Sequence, residues 1–210
     1  LLPEKGKICN FDCIYCECGW NKDGRGDTKL PSAAMLRKAL ESKLAACRAD
    51  GTPIDSITFS GDGEPTLNPD FPEIIDITLE LRAKYYPKAL VSVLSNATMI
   101  GRQKVFEALR KLDNPILKLD VSDVVEGMLR FEGDFVMQTM FLRSPDFDSS
   151  EPGQLQAWMD IVRKVRPREV MVYTLDREAP ASNLEKFTVE QMRELVRPLE
   201  DEGFKVQVRG

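Results

Sequence analysis

Short runs of β-branched and apolar residues recur along the chain, and between them apolar positions repeat every three or four residues. The runs at 54–60 (IDSITFS), 89–95 (ALVSVLS), 115–121 (PILKLDV), 134–142 (DFVMQTMFL), 168–175 (REVMVYTL) and 204–209 (FKVQVR) predict six strands. The intervening stripes predict amphipathic helices. Leu36, Leu40, Leu44 and Cys47 form one stripe, and Val105, Phe106, Leu109 and Leu112 a second. Leu155, Trp158, Met159 and Val162 form a third, and Met192, Leu195, Val196 and Leu199 a fourth. Asn68 followed by Pro69 reads as an N-cap with proline at the first helical position. Thr188 with Gln191 reads as a capping box, Gly203 as a C-terminal stop, and Pro198 as a kink inside the last helix.

Strands alternating with helices imply βαβ units and a parallel sheet, open or closed into a barrel. No repeat, low-complexity tract or linker interrupts the pattern, so one domain is expected over residues 1–210. In such folds function gathers at the C-terminal ends of the strands. Two spacings point to missing residues. No clear strand precedes the first cysteines, and the interval between the third and fourth strands is short for a crossover helix, which points to a gap near 121–123 and to residues before Leu1.

Composition narrows the chemistry. The 210 residues are 42% hydrophobic and 30% charged, with a formal net charge of -5. That balance argues against a large nucleic acid as main partner, while leaving local basic patches open. No apolar run approaches the ~20 residues of a bilayer span, and LLPEKGKIC has neither an apolar core nor a cleavage site of a signal peptide. A cytoplasmic protein without a membrane partner is expected. Histidine is absent, which excludes a Ser-His-Asp triad, a His-ligated zinc enzyme and a HExxH protease within these residues. Chemistry falls to Cys, carboxylates, Lys or a cofactor.

Four of five cysteines, Cys9, Cys13, Cys16 and Cys18, lie within ten residues. A disulfide framework fits poorly with an odd count and no sign of export. Structural zinc usually takes two separated ligand knuckles, and no second one exists. An iron–sulfur cluster suits thiolates in a compact loop. The spacing C-x3-C-x2-C of Cys9, Cys13 and Cys16 leaves one iron of four open for chemistry. Cys18 as fourth ligand would make a closed electron carrier, but two residues from Cys16 its side chain would have to fold tightly back, so it reads as a bystander. Cys47, on a helical stripe, reads as a buried small hydrophobe.

CNFDCIYC resembles the cluster loop of the radical S-adenosylmethionine (SAM) enzymes, whose signature is C-x3-C-x2-C with an aromatic residue before the last Cys, here Tyr15. FSGDGEPTLNPDF at 59–71 is similar to the Gly-Gly-Glu element that binds the amino group of SAM in that family. Here it reads Asp62-Gly63-Glu64, with Asp in place of the first Gly but Gly61 beside it. Glycines permit close backbone approach to a ligand, whatever the family. LSNAT at 94–98 resembles the Ser/Thr-Asn segment that faces SAM, which implies cofactor contacts for Ser95 and Asn96, with a plain turn as the alternative for Asn96. Asp120, in LKLD, corresponds to polar residues reaching the ribose or methionine of SAM.

The resemblance implies a partial (β/α)6 barrel with outer helices. It also implies a 4Fe–4S cluster on Cys9, Cys13 and Cys16, SAM at Tyr15, Gly61, Asp62, Gly63, Glu64, Ser95, Asn96 and Asp120, and a flavodoxin- or ferredoxin-like electron donor. Reductive cleavage of SAM would give methionine and a 5'-deoxyadenosyl radical for hydrogen abstraction. SGDGEPTLNPDF and MVYTLDREAP look most like the group related to wyosine-forming tRNA enzymes, which makes tRNA or base modification the first expectation. The alternatives are an activating or maturation enzyme acting on a protein, a non-enzymatic iron–sulfur carrier using Cys18, and a zinc-stabilised binding module.

Other residues carry weaker signals. Asp176 and Arg177, after the fifth predicted strand, are candidate substrate contacts or the start of a loop salt bridge. Lys5 and Lys7 flank the cluster loop and read as solvated charge, with a contact to a phosphate or a donor protein as the alternative. Asp146, Asp148, Ser149 and Ser150 read as a loop or N-cap region, Met137, Met140, Met159 and Met171 as core, and Trp20 as packing or a shield for the loop.

Overall fold

The structure is a computed structural model that describes residues 6–21 and 29–210. Lys5 and the segment 22–28 lie outside the described residues. The elements run α1 (Ala33–Ala49), β1 (Ser56–Phe59), α2 (Phe71–Tyr85), β2 (Leu90–Ser95), α3 (Gln103–Leu109), β3 (Asn114–Lys118) and α4 (Val125–Leu129). There follow β4 (Val136–Met140), β5 (Leu142–Ser144), β6 (Phe147–Asp148), α5 (Pro152–Val165), β7 (Glu169–Tyr173), β8 (Glu185–Lys186), α6 (Val189–Asp201) and β9 (Val206–Arg209). All six predicted strands form, in a parallel six-stranded sheet of order β1-β2-β3-β4-β7-β9; β5, β6 and β8 make a small separate sheet. Among the described residues no helix is long and apolar enough to cross a membrane.

By its contacts the chain divides into two compact units, one of residues 1–10 and 21–116 and one of 11–20 and 117–210. In the first, β1 pairs in parallel with β2, from Ser56 opposite Leu90 to Phe59 opposite Val93. Phe71, Ile74, Ile75, Ile77 and Leu81 of α2 are buried, as are Leu44 and Cys47 of α1, so the helical stripes are core and Cys47 is the small hydrophobe its stripe predicts. The two helices are also tied by a bidentate Arg37–Glu80 pair and by Lys84 to Glu41, both exposed and therefore screened by solvent.

In the second unit β4, β7 and β9 are parallel neighbours, Gln138 opposite Met171 and Met171 opposite Gln207, then Met140 opposite Tyr173 and Tyr173 opposite Arg209. One face of these strands is closed: Val170 and Val172 are fully buried, and Thr139 accepts a hydrogen bond of 3.1 Å from the Trp158 indole of α5. Since alternate residues point to opposite faces, Gln138, Met140, Met171 and Tyr173 lie on the other side. Thr188 and Gln191 form the capping box, and Gly203, with φ of +88°, follows the C-cap of α6 in the left-handed region.

Four expectations are corrected. Helix α2 starts at Phe71 rather than Pro69, because the Asn68 carboxamide accepts the Asp70 amide and closes a turn before it, with Pro72 in the first helical turn. The run at 134–142 breaks after Met140, where the chain leaves the main sheet for the hairpin of β5 and β6. Lys7 is only 5% exposed, not solvated. Met140 and Met171 are half-buried on the open face of the sheet, whereas Met137 and Met159 are core. The interval 119–135 is crossed by a 3-10 turn at Ser122–Val124 and the short α4.

Candidate functional site

One cluster is built around a backbone bridge between Ile8 and Gly63. The Ile8 amide donates to the Asp62 carbonyl at 3.1 Å, and the Glu64 amide donates to the Ile8 carbonyl at 2.9 Å. Gly63 has φ of +140°, and a Cβ there would sit 1.9 Å from the Ile8 carbonyl oxygen, so no side chain fits. The residue before Cys9 is thus fastened to the turn that follows β1, while Gly61 and Asp62 are exposed.

Glu64 is 2% exposed and its carboxylate is a hub. Oε1 accepts from the Thr66 amide at 3.0 Å, the Thr66 hydroxyl at 2.5 Å and the Ser95 hydroxyl at 2.8 Å; Oε2 accepts from the Asn96 amide at 2.7 Å. The turn after β1 and the turn after β2 are therefore one hydrogen-bonded body. Asn96 extends it: its Nδ2 donates to Asn10 Oδ1 at 3.1 Å and lies 3.7 Å from the Cys9 sulfur, and its Oδ1 accepts from the amide and hydroxyl of Thr98. Asn10 closes the ring on Thr98 at 2.8 Å.

A second cluster lies within the other unit. Two turns shape the loop, the Cys16 amide on the Cys13 carbonyl at 3.1 Å and the Gly19 amide on the Cys16 carbonyl at 2.9 Å. The Tyr15 hydroxyl donates to Asp120 Oδ2 at 2.5 Å, and the Cys13 sulfur is 4.0 Å from the same oxygen. Lys118, two residues from Asp120 on the same side of the strand, holds its ammonium 5.2 Å from the Tyr15 ring centre and 5.7 Å from that of Tyr173. Burial, with Asp120 beside it, pushes the Cys13 thiol up to about 11. Burial also raises the Asp120 carboxyl, and burial together with Asp120 raises the Tyr15 phenol. Burial disfavours the Lys118 ammonium, but Tyr173 and Asp120 outweigh it and the pKa rises.

Beside this cluster is a cavity of about 450 Å³, walled by Phe11, Cys13, Tyr15, Asp120, Phe141 and Trp158 among others. Arg177 forms an exposed ion pair of 3.1 Å with Glu17 of the cysteine loop, and Asp176 is exposed. None of the five cysteines is in a disulfide; Cys9, Cys13, Cys16 and Cys18 are half-buried. Cys9 belongs to the first unit and the other three to the second. Among the described residues no three Cys, Asp or Glu side chains are arranged to hold a metal ion.

Comparison with known proteins decides the family. The radical SAM superfamily profile matches residues 4–130. The chain belongs to the radical SAM superfamily. The UPF0026 protein of Helicobacter pylori strain J99 is 28% identical over 200 residues, covering 84% of this chain and 61% of that protein, so the chain spans about 61% of that relative's length. In fold it is similar to SuiB of Streptococcus suis bound to its precursor peptide SuiA, with TM-score 0.72, 17% identity, and coverage of 98% of this chain and 47% of SuiB. It is also similar to anSMEcpe with bound S-adenosylmethionine, with TM-score 0.64, 14% identity, and coverage of 99% and 62%. The α/β architecture with a six-stranded parallel sheet is that of the partial barrels of radical SAM proteins.

Several residues of these two clusters escaped the sequence reading. Thr66 and Asn10 leave no trace in any periodicity, because their partners are set by turns. Lys118 and Tyr173 had a signal: each is a polar side chain inside a predicted strand, and Lys118 shares the parity of Asp120.

Proposed function

We propose that this chain is the SAM-cleaving core of a radical enzyme, with Cys9, Cys13 and Cys16 holding a 4Fe–4S cluster. One observation carries the reading: the bridge from Ile8 to Gly63, with Asn96 beside the Cys9 sulfur, joins the cysteine loop to the two other motifs of the family across more than fifty residues of chain. The donor set fits the cluster in kind. Three half-buried thiols stand on a loop without disulfides, and the turn from Cys13 to Cys16 keeps two of them on adjacent backbone. When bound, the cluster would supply the electron that breaks a carbon–sulfur bond of SAM.

The protein's own part is positioning. The backbone of Gly61, Asp62 and Gly63 offers an exposed turn to the amino group of SAM, and Asn96 lines it. Glu64 and Ser95 hold that turn against the end of β2. Tyr15 and Asp120 border the aromatic cavity, which suits the purine and ribose. Burial raises the Cys13 thiol, so a metal bound there would have to displace its proton. Within this chemistry the reading favours base or tRNA modification, on the motifs at 60–71 and 171–180. A peptide substrate is the second reading, supported by the precursor peptide bound to SuiB. The electron donor would be a flavodoxin- or ferredoxin-like protein.

The test is anaerobic. Reconstituted protein with dithionite and SAM should form 5'-deoxyadenosine, and Cys13→Ala should abolish it. A reducible cluster that never cleaves SAM would instead mark an electron carrier.

A further inference from the structure

The open face of β3, β4, β7 and β9 carries polar groups where a packed sheet would be apolar. Gln138 is its floor, only 7% exposed. Its Oε1 has no hydrogen-bond partner, and its Nε2 meets only the weak acceptor Met171 Sδ at 3.4 Å. A buried amide left so under-used points to a ligand, since burying an unmatched polar atom is costly. Two cations stand above the floor. Lys118 leans across β4 to the Tyr173 ring, and Arg209 is the register partner of Tyr173. Arg209 donates to Gln207 Oε1 at 3.3 Å, and neither cation has a carboxylate within ion-pair distance among the described residues. Asp120, at the same end of the sheet, is engaged by the Tyr15 hydroxyl.

We infer that this face is the substrate site, and that it takes a substrate carrying an oxyanion, carboxylate or phosphate, held by Lys118 and Arg209, with a hydrogen-bond donor directed to Gln138. The inference rests on the radical SAM reading for the reaction, and it adds the chemical class of the substrate. Lys118 and Arg209 start from strands three spacings apart, about 14 Å; Lys118 reaches the Tyr173 ring, and Arg209 stands beside Tyr173 in register. That span suits a group of nucleotide or dipeptide size rather than a bare ion.

The experiment titrates the reconstituted full chain, anaerobically, with inorganic phosphate and separately with succinate, by calorimetry. One probe should bind saturably in the millimolar range, phosphate marking a phosphorylated substrate and succinate a carboxylate. Arg209→Gln and Gln138→Glu should each weaken it by about tenfold or more, the loss of about 1.4 kcal/mol, while 5'-deoxyadenosine formation in the absence of substrate stays within about twofold of the parent. Arg209 is exposed, so its variant folds whatever the outcome for Gln138. Failure of both probes to saturate in a protein that cleaves SAM would overturn the inference and leave the radical reading intact. Binding indifferent to both substitutions, or competed by SAM, would overturn it too. Binding without any SAM cleavage would overturn the radical reading and leave the anion site standing.

Discussion

Replacing Glu64 by Gln tests the idea that this carboxylate is a bracket. The change keeps size and shape but turns one carboxylate oxygen into an NH2 group. If Oε1 stays with Thr66 and Ser95, the new donor faces the Asn96 amide that now donates to Oε2 at 2.7 Å. A hydrogen bond to a charged group contributes about 1.5–3 kcal/mol net, and an orphaned buried donor costs about 1–3 kcal/mol. With the other three bonds weakened by loss of charge, the substitution should cost about 2–4 kcal/mol. For a chain of this length that is about 5–15 °C in thermal midpoint. The assay is thermal unfolding of the SAM-free chain, so no ligand contact enters, with exposed Asp62→Asn as a control expected within about 0.5 kcal/mol of the parent. A Glu64→Gln midpoint within about 1 °C of the parent would refute the bracket, for a carboxylate kept for a ligand would lose nothing, or gain, when neutralised without it.

Gly63→Ala should abolish 5'-deoxyadenosine formation, because a Cβ 1.9 Å from the Ile8 carbonyl cannot coexist with the bridge; activity within about twofold of the parent would show that the bridge is dispensable. Cys18→Ser should retain the cluster absorbance while Cys16→Ser loses it, and equal loss in both would make Cys18 a ligand. Thr139→Val should lower stability in urea by about 1–2 kcal/mol, since it strips the Trp158 indole of its buried acceptor; an unchanged midpoint would mean the indole finds another. Thr188→Ala should cost about 1 kcal/mol by the same measurement through loss of the capping box, and a neutral result would deny the cap any part in holding α6.

What the sequence made legible follows from how local each signal is. Strands and helices were readable because burial imposes a period, and Leu44, Ile74, Val172 and Val196 report it directly. The errors fall where a distant or irregular partner decides. Nothing around Lys7 announces that the fold will bury it, and nothing around Asn68 announces that its carboxamide closes a turn instead of capping α2. Met140 and Met171 obey the alternation of a strand, but alternation alone cannot say which face is covered. The same division holds at the site. Cys9, Cys13 and Cys16 are candidates from spacing, and 61–64 and 94–98 from resemblance, whereas the Glu64 hub that fuses the last two is a property of three dimensions.

The Ile8–Gly63 bridge also has a meaning in time. Joining residues 55 positions apart in the chain carries a closure entropy of about 3–4 kcal/mol, which must be offset by the strands and helices folded in between. Contacts of such long range form late. Until then the thiols ride on an unfastened loop, open to oxidation to sulfenic acid or to chance disulfides. Under the proposed function, capture of iron and sulfide by this loop would be a race against oxygen whose length is set by how fast β1, α1 and α2 fold, and slowing them should lower the yield of loaded protein without altering any proposed ligand.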